Sequence, residues 1–146
     1  MKIYNGEGML LGRLASVVAK ELLLGETVNI VNCEKILVSG HREKVLANEK
    51  QKRERKGYPL KSANFSRLPD RFVRRAVRGM LPWKKPRGKE VFENLMCYMG
   101  VPDEFNDKEL ITVKMASVNK LPTLKYVVIG DICQSLGWKG LNGINK

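Results

Sequence analysis

The chain has 146 residues, about one domain's worth, and a chain of this length buries roughly 70% of its unfolded surface, so its core requires no disulfide or metal. Its apolar content of 43% excludes a wholly disordered basic tail, and no apolar run nears the ~18 residues of a membrane span. The formal charge of +12 asks for an anionic partner, while the opening MKIYNGEGML lacks a signal peptide's apolar stretch and predicts a soluble intracellular protein.

Residues 2–5 read as a short strand. A glycine-rich turn follows, and then a helix in which Leu14, Val17, Val18 and Leu22 form one apolar stripe. Gly25 is its natural stop. Residues 27–32 are β-branched and read as a strand, and 35–40 as a second extended segment. Strand, helix, strand predicts a βαβ unit with a parallel sheet.

Residues 42–56 favour a helix, but its apolar residues stop after Val45–Ala47, so it docks at one end only. Gly57-Tyr58-Pro59 breaks it. A helix from about Arg67 to Met80 opens with proline in its first turn. At about 100° per residue, Arg67, Arg71, Arg74, Arg75 and Arg78 share one narrow arc. Leu68, Phe72, Val73, Ala76, Val77 and Met80 fill the rest. A basic loop, Leu81–Gly88, precedes a short helix from about Gly88 to Met96, and Cys97–Gly100 reads as a strand end. Residues 110–118 read as extended and 125–130 as a strand. Asp131 is placed to cap a short helix to Leu136. Residues 139–146 read as a frayed tail. One core, hence one domain over 1–146, is expected.

The charge is not spread evenly. Residues 41–94 carry 17 Lys/Arg against 6 Asp/Glu, nearly all of the excess. Such crowding is offset well only by a polyanion, and nucleic acid fits better than a membrane, since no lipidation motif or bulky apolar wedge accompanies it. A solvated helix face normally mixes signs at i, i+4. The arc at 67–78 holds five arginines and no acid, and arginine's planar fork suits phosphate. Glu43, Glu49 and Glu54 neutralise part of the 42–56 helix, which leaves its C-terminal bases, Arg53, Arg55 and Lys56, for nucleic acid. Lys84, Lys85, Arg87 and Lys89 extend the basic surface. Tyr58 and Trp83 lie beside these clusters, where each either stacks on unpaired bases or fills the core.

Other chemistries find little support. Cys33, Cys97 and Cys133 are far apart in sequence, sit in apolar runs and read as small hydrophobes in a reducing compartment. His41, the one histidine, reads as a turn or capping residue, and no zinc-ligand spacing is visible. Gly6, Gly8 and Gly12, with Glu34 after the next strand, imitate a dinucleotide fingerprint. The spacing is one residue too long, and no phosphate-loop lysine follows. A tight strand-to-helix turn is the better reading. No catalytic residue, cofactor or metal is therefore expected. An enzyme using a nucleotide at Gly6–Gly12 and a free RNA- or DNA-binding regulator are the rival classes.

Val77-Arg78-Gly79-Met80-Leu81-Pro82, then Arg87-Gly88-Lys89 and Leu95–Gly100, resembles the signature of the ribosomal protein L-thirteen family of the large subunit. Leu11–Ser16 and the block from Asn32-Cys33-Glu34 to Ser39-Gly40 are further matches. The charged helix at 42–56 and Leu136-Gly137-Trp138 are similar to the archaeal and eukaryotic branch, and Cys97 is a mild departure. The resemblance implies a three-layer α/β/α fold with a small, mostly parallel four-stranded sheet, here with a basic helical insertion. It implies a cytoplasmic, non-catalytic constituent of the large ribosomal subunit. Its partners would be large-subunit ribosomal RNA and neighbouring ribosomal proteins, with a role in early assembly. The family's RNA-contacting regions carry over to the arginine helix, the Trp83–Lys89 loop and the bases of 42–56.

Overall fold

A computed structural model describes residues 1–55 and 65–140. Chain order is β1 (Lys2–Asn5), α1 (Leu11–Leu23), β2 (Val28–Val31), β3 (Leu37–Ser39), α2 (Arg42–Glu54), α3 (Pro69–Met80), α4 (Pro86–Glu93), β4 (Leu95–Cys97), β5 (Tyr126–Val128) and α5 (Ile129–Ser135). The expected βαβ unit is present: β1 and β2 pair in parallel, Lys2 opposite Val28 and Asn5 opposite Val31. β2 also pairs in parallel with β4, which makes β2 the central strand of three. Every residue of β2 is buried, as befits a strand covered on both faces. β3 and β5 form a separate antiparallel pair.

Packing follows the apolar patterns. Helix α1 buries Leu14, Val18 and Leu22, and α3 buries Val73 and Val77. These side chains share one cluster with Val28, Ile30, Leu95 and Ile129. Leu24 ends α1, and Gly25 follows in the left-handed region at φ +93°, which glycine adopts without strain.

Three expected elements differ. The helix placed at 88–96 runs from Pro86 to Glu93, because Leu95–Cys97 leave it to pair with β2. Residues 110–118 form isolated bridges at Ile111 and Ser117 rather than a strand. The chain turns between them, where the Ala116 amide donates to the Val113 carbonyl and Ala116 is fully buried. Asp131 does not cap α5. That helix starts at Ile129, directly out of β5, and Asp131 instead meets Arg42 of α2 at 2.8 Å. The break at Gly57-Tyr58-Pro59 and residues 141–146 of the expected tail lie outside the described residues.

All three cysteines are free and buried. A hydrogen bond with Cys97 and burial push the Cys33 thiol up, and burial pushes Cys133 up to about 12. High thiol pKa values mean little thiolate and little nucleophilicity. Among the described residues no His/Cys/Asp/Glu group could hold a metal ion, and no helix is long and apolar enough to cross a membrane.

Candidate nucleic-acid interface

The Gly6–Leu10 turn is shaped by packing. A Cβ on Gly6 would lie 2.5 Å from Ile36 Cγ1 and 2.9 Å from the Val31 carbonyl oxygen. The amides of Gly6, Met9 and Leu10 donate to the carbonyls of Val31, Gly6 and Ala116, and the Glu7 amide donates to Asn5 Oδ1. These donors are committed inside the protein, whereas a dinucleotide turn points them at pyrophosphate.

Helix α3 divides as its periodicity predicts. Ser66 Oγ accepts the Leu68 amide at the helix entry, and Pro69 occupies the first turn. Val73 and Val77 are fully buried, Phe72 is half-buried, Arg71 is exposed, and Arg74, Arg75 and Arg78 are half-buried. Arg67 is exposed just ahead of the helix.

Three of these arginines lie over aromatic rings. The guanidinium carbon of Arg75 is 3.7 Å from the Phe65 ring centre, that of Arg74 is 4.7 Å from Phe92, and that of Arg78 is 5.1 Å from Trp83. A guanidinium on a ring keeps its in-plane donors turned outward while its position is restrained. Arg74 Nε is buried without a hydrogen-bond partner. A cleft of about 190 Å³ is lined by Ser66, Arg71, Arg74, Arg75, Arg78 and Phe92. Trp83 is 37% exposed and meets Phe92 edge-on, so it is neither a core residue nor a free one. Beside it a recess of about 470 Å³ is bounded by Leu81, Pro82, Trp83, Lys84 and Lys85, and Arg78 forms part of its wall too.

The loop that carries Trp83 is held closely. A Cβ on Gly88 would lie 2.2 Å from the Pro82 carbonyl oxygen, so only glycine fits. The Lys85 amide donates to that same carbonyl. Lys84, Lys85, Arg87 and Lys89 are exposed along this loop and the start of α4. Arg87 also donates through Nη2 to the Leu23 carbonyl at the end of α1.

Helix α2 docks through Val45 and Leu46 against Val127, Ile132 and Leu136. Lys52 pairs with Glu49 at 2.6 Å and Lys50 with Glu54 at 3.9 Å, the expected self-neutralisation. Its far end is not simply solvated: Arg53 donates through Nη1 to the Leu136 carbonyl, where α5 ends. Arg55 is exposed at the end of α2, and Lys56 and Tyr58 lie outside the described residues. A groove of about 340 Å³ between Glu49 and Lys52 of α2 and Arg71 and Arg75 of α3 brings the two basic helices side by side.

Sequence reasoning placed the arginines but missed Phe65 and Phe92 as the surfaces that hold them. They sit on separate segments, so no periodicity links them to α3. It also missed that Arg53 and Arg87 satisfy helix-end carbonyls, which only the tertiary fold brings within reach.

A small mixed α/β protein with one arginine-rich face is the class this architecture defines. The family profile described as Ribosomal protein L13 matches residues 1–104. The chain is 42% identical over 140 residues to the large ribosomal subunit protein uL13 of Methanosarcina barkeri, covering 95% of this chain and 99% of that protein. It is 44% identical to uL13 of Methanococcoides burtonii over the same shares, and 39% identical to uL13 of Archaeoglobus fulgidus, over 95% of this chain and 89% of that one. The chain belongs to the ribosomal protein L13 family, a family of structural ribosomal components and not of enzymes.

Proposed function

We propose that this chain is a structural constituent of the large ribosomal subunit in the cytoplasm. It binds large-subunit ribosomal RNA by neutralising phosphates where RNA segments converge, touches neighbouring ribosomal proteins and acts early in subunit assembly. One observation carries the RNA-binding reading: Arg71, Arg74, Arg75 and Arg78 line one cleft, with three of the four guanidinium groups restrained on aromatic rings. Charge gathered this way stands ready for phosphate, and the α/β core acts as a rigid platform beneath it. The Tyr4–Ile111 bridge supports a vestigial fourth strand on the sheet, within a three-layer scaffold.

The test is sedimentation of ribosomal particles from cells that carry a tagged copy. The full chain is expected at stoichiometric level in large subunits and in their early precursors. The R71A/R74A/R78A variant is expected at the top of the gradient. Recovery of the wild-type chain only outside particles would contradict the proposal.

A further inference from the structure

We infer that the Arg78 end of the basic face receives one unstacked nucleotide of RNA, its phosphate in the arginine-lined cleft and its base in the recess beside Trp83. This rests on the RNA-binding reading above and specifies what form of RNA the site takes.

The two cavities share a wall, because Arg78 borders both. Their sizes assign their contents. The cleft, about 190 Å³, is smaller than the ~300–1,000 Å³ of small-molecule sites and holds one charged group rather than a whole ligand. The recess, about 470 Å³, falls within that range.

Chemistry assigns them the same way. The cleft is lined by Arg71, Arg74, Arg75 and Arg78, and arginine's planar fork suits phosphate oxygens. The recess instead combines the apolar surfaces of Leu81, Pro82 and Trp83 with the ammonium groups of Lys84 and Lys85. That mixture suits the flat face of a base attached to an anionic backbone.

The recess is also built in advance. Phe92 packs against Trp83 with the two rings near perpendicular, Arg78 lies over the Trp83 ring, and Gly88 lets the Pro82 carbonyl approach. A tryptophan held this way yet 37% exposed offers a stacking surface with little ordering left to do on binding. Bases within an RNA duplex are already stacked and cannot enter. A duplex can fill the cleft with phosphate but leaves the recess empty.

The test uses the full chain with a short single-stranded RNA oligonucleotide and a blunt RNA duplex. Anisotropy of labelled RNA reports binding, and tryptophan emission with unlabelled RNA reports the recess. The second tryptophan, Trp138, is buried and serves as the silent reference. The single strand is expected to quench emission, the duplex to bind without quenching, and Trp83→Leu to abolish the quench. Trp83→Leu should weaken single-strand binding about 5- to 150-fold, the worth of one base–aromatic stack, and weaken duplex binding, which loses only the ring beneath Arg78, by less. Arg78→Lys keeps the charge but loses the fork, and should weaken the single strand more than the duplex. If RNA binds while Trp83 emission is unmoved, or if the duplex quenches as strongly, this inference falls and the RNA-binding reading stands. If neither RNA binds, both fall.

Discussion

The guanidinium carbon of Arg74 lies 4.7 Å from the centre of the Phe92 ring. Phe92 in turn meets Trp83 edge-on, with ring centres 4.9 Å apart. Arg74 thereby ties α3 to the loop and helix that follow it. A contact of this kind contributes ~0.5–1 kcal/mol at exposed sites and more when desolvated. The basic face is therefore organised by aromatic rings, which position charge without neutralising it.

That organisation separates the two sides of α3. The combined variant R71A/R74A/R78A loses two ring contacts and should cost about 1–2 kcal/mol, partly offset by relief of like-charge repulsion. Its salt slope for RNA binding should fall by about one unit for each lost phosphate contact. Val77→Ala, on the fully buried side, should cost about 2–3 kcal/mol of stability. The folded Val77→Ala protein should bind RNA as the wild type does. Urea denaturation and RNA binding at several salt concentrations read both effects. A triple variant that unfolds, yet binds RNA normally once stabilised, would reverse the helix orientation.

Gly88→Ala places a methyl group against the Pro82 carbonyl oxygen, which belongs to the backbone and cannot swing aside. The loop must shift, at about 1–3 kcal/mol. Near-ultraviolet circular dichroism should change as Trp83 moves with it. An unaltered spectrum and melting temperature would show that the loop is not held by this contact.

Arg53 joins the end of α2 to the end of α5. Its side chain donates to the Leu136 carbonyl at the end of α5, where a cation also suits the helix dipole. Arg53→Ala should cost about 1 kcal/mol of stability. It should lower the RNA salt slope less than Arg78→Ala does. Equal slope losses for the two variants would place Arg53 on phosphate instead.

Cys133 makes stability depend on alkaline pH. Its folded pKa, about 12, lies above the ordinary thiol value of 9.0 because burial disfavours the thiolate. Below the lower value both states hold the proton, and the contribution of the neutral thiol is fully present. As pH rises toward the folded value the unfolded chain ionises first, so stability is progressively lost. Urea denaturation across this window should show a shallower decline for Cys133→Ala than for the wild type. Parallel declines would exclude Cys133 as a source.

Local patterns carried much of this architecture. Leu14, Val18 and Leu22 announced α1, and the alternation of charge and apolar residues announced both faces of α3. Leu95 and Met96 misled because an apolar pair continues a helix as readily as it joins a strand, and only β2 decides. Asp131 looked like a cap because capping residues and first-turn acids share a composition. The arginine arc was legible from spacing alone. Phe65 and Phe92 were not, since ring-over-guanidinium contacts join segments that lie apart in the chain. Arg53 and Arg87 looked free for the same reason: their carbonyl partners, Leu136 and Leu23, are distant in sequence.

On the proposed function, the clustered charge exists to meet phosphate. Affinity of the full chain for a large-subunit RNA fragment, measured from 50 to 200 mM salt, tests it most directly. With about six to ten phosphates contacted, affinity should fall by roughly three to five decades across that range. A nearly flat dependence would mean that the arginine face is solvated and that RNA, if bound at all, is held elsewhere.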